Sequence, residues 1–224
     1  MRFLVFIGFI LLPHVPAFAQ EWTAYTSPNS AAITPQHRLL AVLPFAVQFQ
    51  LRPAEVTRLG GPAGLANIEQ YEGLQVQAAV REYLQARQVK KGLSYAVQDP
   101  EQTNALLREH GVTAAQLAMI SPQQLARWLG VDAVLTGSFG TVKPLSDGAA
   151  LALGAGLSMV TGVGVYGTNT AALKVFLWNA PTGELLWQFT RDTSRGLNAG
   201  TRRQILFMMQ SAKRRFPYAS PTPG

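Results

Sequence analysis

The sequence predicts a protein of the α/β (α+β) class: one mixed β-sheet flanked by helices, with a late β-hairpin and a C-terminal helix. Three observations carry this. Apolar strand runs alternate with helical patterns early in the chain. A short helix runs directly into a strand in mid-chain. Two alternating strand runs then meet across a tight turn. The composition, 48% hydrophobic and only 14% charged, supplies a packed core and argues against disorder. There is no internal repeat.

Leu39 to Phe49 (LLAVLPFAVQF) reads as the first strand, apolar enough to be buried on both faces. Pro44 inside it implies an edge position or a bulge. A long amphipathic helix is predicted from about Ala66 to Lys91, with Val76, Val80, Tyr83 and Leu84 on one face. Lys90 and Lys91 suit the negative end of its dipole, and Gly92 suits the position just past its end. Leu93 to Val97 is a short second strand. Asp99-Pro100-Glu101-Gln102 then starts a helix through an Asp cap, Pro at the first helical position and a Gln-closed capping box. That helix ends at His110-Gly111. Thr113 to Gln116 and Ser121 to Gln124 repeat the same starting grammar.

Val131 to Val142 is the third strand. Ala171 to Asn179 and Glu184 to Thr190 form the hairpin across Ala180-Pro181-Thr182-Gly183, with Leu185, Trp187 and Phe189 on one face. The last helix, about Thr201 to Arg215, buries Ile205, Met208, Met209, Ala212 and Phe216 and is capped by Thr201 with Gln204.

The N-terminus sets the compartment. Arg2, the apolar run Phe3 to Leu12, the breakers Pro13 and Pro16, and Ala17-Phe18-Ala19 together form an export signal cleaved before Gln20. An apolar stretch of about ten residues is too short to cross a bilayer core of about 30 Å as a helix. The expected organisation is therefore a signal peptide over 1–19, an exposed leader over 20–36, an α/β domain over 37–216 with a glycine-rich insertion at 148–168, and a flexible tail over 217–224. The mature protein is expected in the periplasm, with association to the outer membrane left open. Cysteine is absent, so the fold uses no disulfides, no thiolate chemistry and no lipid-modified cysteine after the signal.

No catalytic pattern stands out. His37 and His110 are far apart, and His110 suits a helix end, where a cation offsets the dipole. There is no H-E-x-x-H and no G-x-S-x-G, and nothing pairs two carboxylates. Gly162 to Gly167 fits G-x-G-x-x-G, but a turn and strand follow it where a dinucleotide loop needs a helix. No cofactor and no metal is expected, and the chain is read as a non-enzyme.

Two features suggest contact surfaces. Between Asp147 and Lys174 there is no charge, and Gly154, Ser158 and Gly162 repeat every four residues, as close-packing helices prefer. This segment suits a buried small-residue element, a membrane-inserting element or a loop. The C-terminal helix carries Arg202 and Arg203 at its start and Lys213, Arg214 and Arg215 at its end. Beside an apolar stripe, these suit either solvation or contact with an anionic membrane surface or an acidic partner. The net charge of +7 favours anionic partners, but no nucleic-acid motif accompanies it.

The run QQLARWLGVDAVLTGSF, the later Thr182-Gly183-Glu184-Leu185-Leu186-Trp187 and the opening LLAVLPF resemble corresponding elements of a group of envelope proteins. The group includes the curli-export outer-membrane lipoproteins (CsgG-type), the DUF799 (GNA-type) lipoproteins and the N-terminal domain of TolB. The resemblance implies a TolB N-terminal-like fold over about Leu39 to Arg191. It also implies a non-catalytic role in envelope assembly, export or partner binding. In physical terms Gly130 stops the helix, Asp132 bonds nearby amides and Gly137 permits close backbone approach. The chain departs from the CsgG-type pattern in lacking the lipidation cysteine, and its glycine-rich segment lacks the alternation of a barrel strand.

The resulting expectation is an exported envelope protein that binds other proteins, with homo-oligomers among its partners, and aids assembly or transport without chemistry. The alternatives are an outer-membrane oligomer (a CsgG-like export component) inserting its glycine-rich segment, and an exported hydrolase or glycan-binding protein.

Overall fold

The computed structural model describes residues 22–93, 95–141, 171–193 and 200–218. The strands are β1 (Trp22–Thr26), β2 (Leu39–Val42), β3 (Ala46–Phe49), β4 (Ala96–Val97), β5 (Ala133–Thr141), β6 (Ala171–Asn179) and β7 (Leu185–Thr193). They form one sheet in the order β1-β7-β6-β5-β2-β4, with β3 also paired to β5. The pairs β2–β4, β2–β5 and β3–β5 are parallel, whereas β5–β6, β6–β7 and β1–β7 are antiparallel. The helices are α1 (Ser30–Ile33), α2 (Pro53–Arg58), α3 (Gly61–Lys91), α4 (Pro100–Glu109), α5 (Pro122–Leu129) and α6 (Thr201–Gln210). This is the mixed, helix-flanked sheet that the sequence predicts.

Pro44 resolves as a bulge. Val42 pairs with Leu135 and Ala46 with Ser138, so Leu43, Pro44 and Phe45 stand opposite only Thr136 and Gly137. Backbone groups displaced there find partners elsewhere. Gln77 Nε2 donates to the Val42 carbonyl at 2.7 Å, and the Phe45 amide donates to the Gly73 carbonyl of α3 at 3.3 Å. Glycine is required at the crossing, because a Cβ on Gly73 would overlap the Phe45 carbonyl oxygen. A Cβ on Gly137 would overlap both the Phe45 ring and the Lys174 carbonyl oxygen.

α3 starts at Gly61, several residues before the expected Ala66, because Pro62 in a first turn needs no N–H partner and begins the helix instead of breaking it. Val76, Val80 and Leu84 are fully buried, and Gly92 closes the helix at φ 60°. Asp99 caps α4 by accepting from the Glu101 amide at 2.9 Å, but the predicted Gln102 bond that would complete a capping box does not form. Thr113 and Gln116 do close one, on a 3-10 turn (Ala114–Met119).

Four further expectations are corrected. Residues 22–36, expected as an exposed leader, keep that exposure along most of β1 but join the sheet: β1 pairs with β7 from Trp22↔Arg191 to Thr26↔Trp187, and Ser27, Ser30 and Thr34 are buried. Leu185, Trp187 and Phe189 do not share a face: a register shift pairs Leu177 with Trp187 but Trp178 with Leu185. Leu186 and Trp187 both enter the core, and Leu185 turns to the opposite face. α6 is capped by Gly200 with no side-chain bond, not by Thr201 with Gln204. Finally, the tail is docked as far as Tyr218, which is 5% exposed.

One core, on the α3/α6 face, contains Trp187, Phe189, Ile205, Met208, Met209 and Phe216. Arg191 is buried within it and donates to the Phe207 and Met208 carbonyls at 3.2 and 3.3 Å, and to the Ser211 hydroxyl. It thereby places a cation at the C-terminal turn of α6, where the helix dipole favours one. The second core lies on the other face, where α4 and α5 cover β2 and β5 through Leu107, Leu125, Leu129 and Val134.

Glu72 of α3 is buried beside the start of α6, where it hydrogen-bonds the Thr201 side chain, and burial raises its pKa above the usual carboxylate value. A folded-state pKa above the unfolded one means that the folded chain holds this proton more tightly. Stability from this group is therefore greatest below pH 4.5 and declines as pH rises through the folded-state value. Glu72→Gln, which keeps an acceptor for Thr201, is expected to raise the urea midpoint at pH 7 and to lose that gain at pH 4. An unchanged midpoint at pH 7 would contradict the burial.

Candidate functional site

β6 alternates across the sheet. Leu173, Val175 and Leu177 are fully buried in the α3/α6 core, while Phe176 and Trp178 point to the other face and stay half-buried. On that face α5 reaches β6 only near Trp178, and the sheet beyond it, formed by β7 and β1, has no helix packed over it in the second core among the described residues. The Pro44 bulge and the 3-10 turn Ala114–Met119 rise as walls beside this floor, enclosing a groove of about 590 Å³. Phe176, Trp178, Thr136 and Ser138 form the base, and Leu117, Ile120 and Pro122 line the wall. A narrower cavity of about 240 Å³ shares Pro44, Ala114 and Leu117 with it and runs on between Leu74 of α3 and Arg108 of α4.

The groove is apolar and its polar atoms are mostly engaged. Trp178 Nε1 donates to Thr136 Oγ1 at 3.1 Å, and Asn104 exchanges hydrogen bonds with Gln77 at 3.0 and 3.1 Å. Phe176 and Trp178 lie with ring centroids 6.3 Å apart. Met119 stands at the rim, 86% exposed. Aromatic anchors beside an adaptable methionine are the residue types that carry binding energy at protein contacts.

The residues singled out for chemistry fall elsewhere. His37 is buried, with Nδ1 against Tyr218 Oη at 2.5 Å and Nε2 against Asn179 Oδ1 at 2.9 Å. Asn179 Nδ2 in turn donates to Thr182 Oγ1 at 2.7 Å, which leaves its Oδ1 to accept from His37 Nε2–H. His37 Nδ1 then accepts from the Tyr218 hydroxyl, whose pKa burial pushes well above the phenolic range. This network ties the C-terminal segment to the hairpin turn. His110 caps α4 and stacks on Trp128 with centroids 4.7 Å apart. Among the described residues no group of three or more His, Asp or Glu is placed to hold a metal.

The basic residues of the last helix do not gather into one site. Arg202 makes a two-pronged pair with Glu82 of α3, at 2.7 and 2.6 Å, and so fastens α6 to α3. Arg203, Lys213 and Arg215 are exposed. Nothing is described of the Arg214 side chain, and Gly154, Ser158, Gly162 and the glycine-rich span lie outside the described residues, as does the signal. Among the described residues no helix is long and apolar enough to cross a membrane.

The resemblance motif plays a structural part. Gly130 ends α5 at φ 66°. Asp132 Oδ2 accepts from the amides of Arg38 and Leu39 at 2.7 and 2.9 Å, joining the starts of β2 and β5. Sequence reading missed the groove. Its signal was the stretch Val175 to Trp178, apolar on both alternations, which marks a strand with something to cover on each face.

Fold and groove together define an α/β domain whose sheet, among the described residues, carries the larger core on one face and is partly covered on the other. No family model and no curated protein matches the chain. Similar solved structures include a PelC dodecamer from Paraburkholderia phytofirmans, at 13% identity and a TM-score of 0.48 over 90% of this chain and 99% of that one. Lipoprotein GNA1162 from Neisseria meningitidis is similar at 17% identity and a TM-score of 0.42, over 79% of this chain and 94% of that one. The LpoB C-terminal domain from Salmonella enterica is similar at 14% identity and a TM-score of 0.34, over 76% of this chain and 96% of that one.

Proposed function

We propose that this chain is an exported, non-catalytic protein of the cell envelope that binds other proteins and aids assembly or transport there, with the groove beside β6 as its contact surface. The groove itself carries this reading: half-buried Phe176 and Trp178 and exposed Met119 present apolar surface to solvent with few free polar atoms. Desolvating such surface on contact is worth roughly 25 cal/mol per Å². The export signal supports the compartment, and the missing catalytic motifs support binding without chemistry.

A photo-crosslinking side chain placed at Met119 of the full-length chain is expected to capture an envelope protein in living cells. The same group at Val89, which is 82% exposed on α3, is the control. Phe176→Asp is expected to reduce the Met119 adduct at least about tenfold, the scale of a lost interface anchor. Adducts equal at both positions, or untouched by Phe176→Asp, would refute the reading.

A homo-oligomer is the second reading, favoured by one observation. β1 is an edge strand without charge or proline, with Trp22 and Tyr25 40% and 49% exposed, and such edges are templates for pairing. Sedimentation of the mature protein decides it: a monomer at every concentration excludes this mode.

A further inference from the structure

The charges around the groove specify its occupant more narrowly. Among the described residues neither the groove nor its continuation is lined by any Asp or Glu, and the one charged lining side chain is Arg108, exposed on α4. Toward the other side, Lys174 is exposed on β6 opposite Ser138, on the same face as Phe176. Neither cation is in an ion pair among the described residues. The acidic residue on that face, Asp192, pairs with Ala172 one step away and makes no ion pair with Lys174. Between the two cations the surface is mainly apolar, broken by the Thr136 and Ser138 hydroxyls, and the Trp178 and Asn104 donors are already used within the fold.

We infer that the groove receives an amphipathic protein segment with an apolar centre and acidic residues on both flanks. This rests on the reading of the groove as a protein-contact surface. The apolar centre follows because a partner polar group placed over the Leu117, Phe176 and Trp178 surface would lose water without gaining a hydrogen bond. The acidic flanks follow from Arg108 and Lys174, reinforced by the +7 charge of the chain, which steers anionic partners toward it. A protein segment suits the site better than an acyl chain. The rim at Met119 leaves one side of the occupant in water, which an amphipathic segment satisfies with its polar face and a hydrocarbon chain does not.

The test is calorimetric titration of the mature protein with three synthetic peptides sharing one amphipathic Leu/Phe centre and flanked by Glu, Gln or Lys. The Glu-flanked peptide is expected to bind about twofold to tenfold more tightly than the Gln-flanked one, as two exposed ion pairs allow, with the Lys-flanked peptide weakest. The preference should shrink at high salt. Arg108→Gln with Lys174→Gln should erase the ranking while leaving the Gln-flanked peptide unchanged. Arg108→Glu with Lys174→Glu should reverse it, and circular dichroism confirms that both variants are folded.

Equal binding of all three peptides, or a ranking that survives charge reversal, overturns the acidic-flank inference and leaves the groove reading standing. Binding that Met119→Asp and Phe176→Asp do not weaken overturns the groove reading itself, and absence of binding by every peptide overturns both. Phosphatidylglycerol vesicles that displace the Glu-flanked peptide would assign the cations to a lipid surface and overturn the inference in that way.

Discussion

Trp187→Ala is expected to destabilise the protein by about 3–5 kcal/mol, the usual range for emptying a buried aromatic site. Trp187 is fully buried, stacks on Phe189 at 5.7 Å with rings 3° apart, and meets the edge of Phe216 at 5.0 Å. Phe216 continues the cluster to Tyr218 at 5.4 Å and so to Tyr95 at 4.8 Å. The cavity would therefore loosen the C-terminal segment as well as β7. Urea denaturation measures the loss. Trp187→Phe is expected to lose less than half as much, because it keeps a ring and removes an indole N–H that has no partner among the described residues. A loss below about 1 kcal/mol for Trp187→Ala would mean that this cluster is not packed as described.

Asp132→Ala is the second large effect, about 2–4 kcal/mol, since it removes a carboxylate oxygen that receives two amides. Those amides belong to Arg38 and Leu39, and with Asp132 absent the start of β2 keeps only its backbone pairing to β5 and β4. Asp132→Asn preserves an acceptor without its charge and should recover roughly half of the loss. Amide hydrogen exchange gives a local readout: protection at Arg38 and Leu39 should fall more than at Val175 in the centre of β6. Uniform loss across the sheet would show that Asp132 acts on global stability and not as a clamp on β2.

How far the sequence reached can be read from particular residues. The apolar stripes of α3 and α6 were legible, because a helix buries one face and its period survives in the sequence. The glycines at positions 92 and 130 were legible as helix stops, and both adopt the left-handed conformation. Pro44 was legible as an interruption of the strand. That its bulge is held by Gln77 and Gly73 was not, since those partners lie about thirty residues away in sequence. Residues 22–36 misled because exposed polar composition is shared by a loop and by an edge strand whose side chains mostly face water. The Leu185 alternation misled because one inserted residue reverses every later side chain.

The candidate site was legible only in pieces. Phe176, Trp178, Met119, Pro44 and Arg108 are ordinary residues in sequence, and nothing in their spacing connects them. Tertiary packing brings them to one groove by setting the 3-10 turn against β5 and β6, with the helical cover among the described residues stopping short of β7.

The linear order of residues was enough to determine most element types and the mixed α/β class, because these depend on periodicity and capping chemistry. Only the three-dimensional arrangement decided that the leader joins the sheet, that His37 and Arg191 are structural, and that the 3-10 turn and Pro44 form a groove over β6. Such outcomes depend on which surfaces meet across long sequence separations, and on burial that no local pattern encodes.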